Sequence, residues 1–344
     1  MEAIVLDEWG GALNVEDRPA PEPGPTDVAV DVGACGVTRT VENAIQGGLA
    51  DDPDLTPRIP GHEFAGEVVD VGAAVEHLDV GDRVVAYFYL TCGHCDACRA
   101  GRDNRCTNFG GWYGVHRDGA YAEVATLPAA NALPLPDAAT FVEGAIAADG
   151  LATPLHVCER TDLGDEDILL VIGAAGRIGV HLCQLAAHRG ATVLAADVHP
   201  ERLEHAIEAT GGRAIPVDAR ADDLDEAIRD VAPGDGPTVA VDTVGDVPTI
   251  RAAWDALGMG GQLVTLTTHH DRVFAPLLKD FVVKEAAVVG SRYATRDEVV
   301  RATRLLADGI VEPVVTETVA LDGVRDVHRR IRGGESHGFV AVTP

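Results

Sequence analysis

The chain has 344 residues, of which 46% are hydrophobic and 4% aromatic, enough apolar material for two packed domains and too much for a disordered chain. It carries 55 acidic against 27 basic residues, a formal net charge of −28, with lysine only at positions 279 and 284. Such a surface repels nucleic acid and anionic membrane, so neither is expected as a partner, and it reads as a halophile's adaptation to a salt-rich cytoplasm in which counter-ions screen the self-repulsion.

The first residues, MEAIVLDEWGG, offer neither a basic start nor a long apolar run, and no stretch of 18 apolar residues occurs anywhere, so the protein is expected to be soluble and cytoplasmic. The runs EAIVL, DVAVDVG, EFAGEVVDVG, RVVAYFYL and AYAEVATL, separated by Pro, Gly and Asp, predict a β-rich first domain. Inside it lies CGHCDACRAGRDNRC, with Cys92, Cys95 and Cys98 at two-residue intervals and Cys106 after seven more residues. Four thiolates satisfy a tetrahedral Zn²⁺ completely and leave no position open for chemistry, so this lobe (92–106) is read as a structural zinc site in a reducing compartment. A redox CxxC is disfavoured, because two overlapping copies plus a fourth cysteine have no evident redox use.

From about residue 165 the pattern becomes strand then helix, repeated: ILLVIG, RIGVHLCQLAAHRG, TVLAAD, PERLEHAIEAT, RAIPVD, DLDEAIRDV, TVAVDTVG, TIRAAWDALG, GQLVTLTT. Alternation of this kind predicts a parallel, doubly wound α/β sheet. The segment VIGAAGRIG ends the first of these strands. Its Gly173, Gly176 and Gly179, with Arg177 and Ile178 between them, permit a tight turn and close approach of the backbone to a pyrophosphate at a helix start. A glycine triplet alone marks only a strand-to-helix turn. Asp197, closing the next strand, adds a carboxylate for the adenine ribose hydroxyls, which favours NAD, while His199 and Arg202 beside it leave NADP open. The later strand AVDTVG carries Asp242 and Val244 to a second loop at the nicotinamide end. The tail contains the amphipathic helix RDEVVRATRLLADG and then strands, which predicts a return to the first domain. The expected division is therefore 1–153 plus 290–344 against 154–289.

Together these motifs resemble the zinc-containing alcohol dehydrogenases of the medium-chain dehydrogenase/reductase superfamily over essentially the full length. GHEFAGEVVDVG is similar to that family's GHE signature, the four-cysteine lobe has its spacing, and VIGAAGRIG stands where it binds its nucleotide. The resemblance implies a GroES-like catalytic domain joined to a Rossmann domain, hydride transfer between an alcohol and an aldehyde or ketone, and a homodimer or homotetramer joined through the edge strand EAAVV. It implies His62 as a catalytic zinc ligand, Glu63 as a ligand or close neighbour, and Asp149 in AADGLATPL as the third ligand. In VGACGVTRTVEN it places Thr38 at the position of a usual cysteine ligand, Arg39 at the pyrophosphate and Thr40 as the hydroxyl that relays the substrate proton. The departures are Thr38, Val41 for a supporting aspartate, Asn43 for a relay histidine and Phe339 for an arginine.

A neutral hydroxyl binds Zn²⁺ more weakly than a thiolate. His62, Glu63 and Asp149 with water complete the site in one reading, a loop that brings in Cys35 completes it in another, and a third gives up the catalytic metal altogether. Either way of keeping the ion gives a zinc-dependent, NAD(P)-dependent alcohol dehydrogenase, with a sugar or polyol dehydrogenase as the alternative by substrate, and loss of the ion gives a zinc-free enone or quinone reductase. A nucleotide-binding sensor on the same fold is the reading from outside enzymology.

Overall fold

The computed structural model describes residues 1–50, 52–268, 272–335 and 338–344. Ser336 and His337, inside the predicted 290–344 segment, lie outside the described residues. The chain forms two compact units, one of Met1–Ala152, Ala294–Gly309 and Val315–Pro344, the other of Thr153–Tyr293 and Ile310–Val314.

The first unit is built on a seven-stranded sheet in the spatial order Val315–Val319, Phe339–Val342, Asp27–Val37, Phe64–Val71, Arg83–Ala86 and Ala132–Pro134, with Val124–Pro128 also paired to Asp27–Val37. All pairings are antiparallel except that of Val315–Val319 with Phe339–Val342. Strand Asp27–Val37 buries Val28, Val30 and Ala34, and each large apolar side chain removed from water contributes about 1.5–3 kcal/mol. Its register pairs Cys35 with Phe64, so the residues that follow its end and those that precede Phe64 emerge together. Position 38 and the pair His62–Glu63 are brought together at one end of these two strands by that pairing.

The second unit carries a six-stranded parallel sheet in the order Ile215–Asp218, Thr192–Asp197, Ile168–Ile172, Val239–Asp242, Gln262–Thr265 and Ala287–Gly290. This is the 3-2-1-4-5-6 arrangement of doubly wound dinucleotide-binding sheets. Leu169, Leu170 and Val171 in the central strand are all buried, as expected when helices cover both faces, and Trp254 anchors the core with Phe274 and Phe281 against it.

Three sequence expectations change. The run RVVAYFYL is a strand only over Arg83–Ala86, and AYAEVATL only over Val124–Pro128. The tail holds a second helix, Val324–Arg332, between its two strands; Val324, Val327, His328 and Ile331 form its buried stripe, hidden in the sequence among four arginines. Residues Ile310–Val314 group with the second unit rather than the first, and the reason is local: Gln184 exchanges two hydrogen bonds with the Glu312 backbone, at 2.8 and 3.0 Å.

Candidate active site and metal centres

Gly61 has φ +96°, and a Cβ there would come within 2.7 Å of Tyr121 Cδ1 and 3.0 Å of Cys35 Sγ, so only glycine delivers the chain to His62 by this path. The His62 ring lies against Phe88 with centroids 4.3 Å apart. Asp149 arrives from elsewhere. Helix Phe141–Ile146, opened by a reciprocal Thr140–Glu143 capping box, runs into a π-helical turn, Ala147–Leu151, and the wider turn swings the Asp149 carboxylate inward. His62, Glu63 and Asp149 are 4%, 0% and 7% exposed.

Nε2 of His62 stands 3.4 Å from Glu63 Oε1 and 3.7 Å from Asp149 Oδ2, beyond good hydrogen-bonding distance, and it is buried without a hydrogen-bond partner. One donor atom from each of the three residues lies within 4.8 Å of the other two. Burial by itself lowers the imidazole pKa, but the Asp149 and Glu63 carboxylates outweigh it and the net shift is upward. An imidazole nitrogen set between two carboxylates calls for a positive charge, and a divalent cation fits that demand.

The other residues singled out near this site are employed differently. Thr38 caps helix Arg39–Ile45, its hydroxyl accepting the Val41 N–H at 3.2 Å, so the expected fourth ligand is spent on folding. Cys35 is fully buried, its thiol directed toward the Gly36 carbonyl at 3.8 Å, and burial together with the Glu63 charge raises its pKa well above normal; it does not join the cluster. Arg39 donates to the Ile331 carbonyl at 2.8 Å, in the last turn of helix Val324–Arg332, which occupies part of the guanidinium expected at the pyrophosphate. Thr40 is half-buried in the first turn of helix Arg39–Ile45. Phe339 is buried, and a Cβ on Gly36 would meet its ring at 2.9 Å and Glu63 Oε2 at 2.7 Å, so a phenyl ring packs over Gly36 from the position where the resemblance implies an arginine for the cofactor phosphates.

The four cysteines converge as their spacing predicts. Cys95 Sγ lies 3.4 Å from Cys98 and 4.0 Å from Cys106, and Cys92 lies 4.0 Å from Cys98. Tetrahedral Zn–S bonds of about 2.3 Å set sulfurs about 3.8 Å apart, so the cradle has the right size. Backbone N–H groups of Cys98 and Thr107, with the Thr107 hydroxyl, pull the Cys95 thiol down to about 5, whereas burial and the neighbouring cysteines push Cys98 up to about 12. Sulfurs crowded in this way repel one another as thiolates unless a cation sits between them.

In the second unit, Gly173 has φ +81°, and a Cβ on Gly179 would come within 2.2 Å of the Gly173 carbonyl oxygen; any side chain there would block the turn into helix Gly179–His188. Gly176, Arg177 and Ile178 are partly exposed on that turn. Asp197 is held rigidly, Oδ2 accepting the Ala175 N–H at 3.0 Å and Oδ1 the His199 N–H at 3.1 Å, with a lone pair on each oxygen left for ribose hydroxyls. Asp242 closes strand Val239–Asp242 at the start of the second loop. It is 1% exposed, burial raises its pKa, and its carboxylate accepts the Gly245 N–H, so it shapes the loop from within. Val244, 41% exposed, is the residue that this loop presents, with its side chain beside Gly173.

Two features were not singled out from the sequence. Arg272 donates to the Gly245 carbonyl at 2.6 Å and pairs with Asp246, which brings a cation to the same loop. In the first unit, buried Glu42 lies 3.0 Å from His328 Nδ1 and accepts from Arg332 at 2.9 Å, while His328 Nε2 lies 3.2 Å from the Tyr121 hydroxyl, itself a donor to Gly36. The i, i+3, i+4, i+7 spacing of Val324, Val327, His328 and Ile331 was the available signal for that helix.

Two family models match the chain, "Alcohol dehydrogenase GroES-like domain" over residues 24–137 and "Zinc-binding dehydrogenase" over residues 178–308. An alcohol dehydrogenase of Geobacillus stearothermophilus is 31% identical over 346 aligned residues, covering 99% of each chain. An L-threonine 3-dehydrogenase of Chelativorans is 36% identical over 272 residues, 77% of this chain and 76% of its own. Among solved structures, the alcohol dehydrogenase of Aeropyrum pernix superposes with a TM-score of 0.89 at 30% identity over 100% of both chains. With its GroES-like and Rossmann-type units, its two donor clusters and its glycine loop, the chain belongs to the zinc-containing alcohol dehydrogenases of the medium-chain dehydrogenase/reductase superfamily, NAD(P)-dependent oxidoreductases.

Proposed function

We propose that this chain is a metal-assisted alcohol dehydrogenase with a preference for NAD, whose catalytic ion is held by His62, Glu63 and Asp149, and whose four cysteines hold a structural zinc. The observation that carries the reading is the buried, partnerless Nε2 of His62 facing two carboxylates. When bound, the ion supplies Lewis acidity to the substrate oxygen and the nicotinamide carries the hydride. His62, Glu63 and Asp149 would hold the ion with three protein donors, a number that would leave room for substrate. Thr40 Oγ1 would accept the alcohol proton while releasing its own toward the ribose hydroxyls and solvent, and the Asn43 amide, which has no basic nitrogen, would not serve as the terminal base. Gly173, Gly176 and Gly179 admit the pyrophosphate, and Arg39, Arg177, Ile178 and Val244 contribute to the same cofactor. The Asp197 carboxylate orients the ribose hydroxyls and repels a 2′-phosphate.

The substrate class is a small alcohol or the corresponding carbonyl compound. A zinc-free enone or quinone reductase has no use for the convergence of His62, Glu63 and Asp149. We place the protein in a salt-rich cytoplasm, on the strength of its −28 charge and two lysines. We assign it a homodimeric or homotetrameric state through the edge strand Ala287–Gly290; Val288 on that strand is 41% exposed, and Leu278, Val282 and Val283 are 84%, 81% and 67% exposed on helix Leu278–Lys284. Light scattering of the purified protein tests the assembly.

The deciding experiment measures metal content before and after chelation, then NAD and NADP reduction by an alcohol panel on the same samples. Two ions per chain, with activity lost as one of them leaves, are expected. One ion per chain and undiminished activity would refute the mechanism.

A further inference from the structure

We infer that the His62–Glu63–Asp149 centre is a hard-donor site that exchanges Zn²⁺ for Mn²⁺, Fe²⁺ or Co²⁺, so that one chain sorts chemically different ions between its two centres. The inference rests on the reading of these residues as the catalytic metal site. The two clusters differ in donor chemistry. At the lobe all four donors are sulfur, all within 4.8 Å of one another, with Cys95–Cys98 at 3.4 Å and Cys95–Cys106 and Cys92–Cys98 at 4.0 Å. At the buried centre the donors are one imidazole nitrogen and two carboxylates, with no sulfur among them. Both routes by which sulfur might enter are closed. The side chain at position 38 is a hydroxyl already committed to Val41 N–H, and the Cys35 thiol points toward the Gly36 carbonyl and the face of Gly61. The buried Nε2 of His62, without a hydrogen-bond partner and turned toward Glu63 and Asp149, is the independent sign that a cation belongs there.

Thiolate donors favour zinc through polarisable bonding, whereas carboxylates hold hard divalent ions by charge, and a mixed histidine–carboxylate set suits iron and manganese. Two carboxylates in a buried pocket attract any dication of suitable size. Zinc stays ahead of manganese in raw affinity, so the effect reads as a narrowed ratio.

The test uses the full chain, stripped with a chelator and reloaded with one equivalent of Zn²⁺, which the sulfur lobe takes. Mn²⁺ is then titrated against a second equivalent of Zn²⁺, and bound metal is read by elemental analysis and by the electron paramagnetic resonance of Mn²⁺. One Mn²⁺ per chain is expected to enter in the absence of the second zinc, and to hold half of the sites at an excess over free Zn²⁺ of about 100-fold or less. The lobe zinc should stay in place. Asp149→Cys, which adds a thiolate, should move the ratio toward zinc by about tenfold or more. His62→Ala should abolish Mn²⁺ uptake with the lobe zinc retained. A second zinc that enters while Mn²⁺ stays out at about 10⁴-fold excess, or a ratio unmoved by Asp149→Cys, overturns the inference and leaves the catalytic-metal reading standing. A centre that takes neither ion overturns both.

Discussion

Asp149 Oδ2 lies 3.7 Å from His62 Nε2, and each residue reaches the other through a local departure from regular structure, a π-helical turn on one side and a glycine at φ +96° on the other. Two separate distortions converging on one nitrogen identify a site that folding has been arranged to build.

Removing either partner tests that arrangement directly. His62→Ala and Asp149→Asn should each reduce the metal content from two ions to one and lower kcat/KM by about 10³-fold or more. The four-cysteine lobe should remain loaded in both. Elemental analysis beside steady-state kinetics makes the comparison, and an enzyme that keeps its activity with one ion would exclude a catalytic metal.

The lobe should behave in the opposite sense. Cys106→Ser takes one sulfur from a cradle whose stability comes from the ion it encloses, so the lobe zinc should be lost and the thermal midpoint should fall by about 5–10 °C. The ion at His62 should be retained, and differential scanning calorimetry with metal analysis reads both effects.

Cofactor choice is expected to turn on Asp197. Asp197→Asn keeps an oxygen acceptor for the Ala175 or His199 N–H while removing the charge, so the preference for NAD over NADP should narrow by about 10–100-fold in kcat/KM. An unchanged ratio would assign selectivity to other residues.

Glu42 links stability to pH. Burial opposes its ionised form, but the His328 and Arg332 contacts outweigh burial and lower its pKa. A carboxylate with a depressed folded-state pKa contributes stability above its unfolded value, and that contribution is lost as pH falls through the folded value. Glu42→Gln should therefore cost about 3 kcal/mol near neutrality, and the gap to the parent should close below about pH 4. Urea titrations at a series of pH values measure it; a constant gap would show that packing, not charge, is at stake.

With 55 acidic and 27 basic residues, the chain should require salt. Self-repulsion screened over about 3 Å at 1 M salt, against about 10 Å at 0.1 M, predicts a thermal midpoint that climbs steeply across that range. A flat dependence would remove the saline-cytoplasm reading.

The nucleotide sheet was legible because its central strands Ile168–Ile172, Thr192–Asp197 and Val239–Asp242 carry apolar runs between turn residues, and the lobe because four cysteines at short intervals have few alternative uses. Helix Val324–Arg332 was not, since its apolar stripe is diluted by arginines whose charges face outward. The setting of Asp242 was not legible either: its place at the end of a strand suggests a ligand-facing carboxylate, whereas the Gly245 N–H bond and its burial show it turned into the loop. The employment of Thr38 also lay beyond the sequence, because a threonine before a helix and a threonine in a ligand's seat are the same letter.

Cysteine is a poor substitute for threonine at the head of a helix, so a single change to sulfur at position 38 would forfeit about 1 kcal/mol of local stability in the step that gains a donor. On the proposed reading of the site, the obstacle to a sulfur donor at position 38 is therefore the start of a helix, a matter of backbone rather than of metal chemistry.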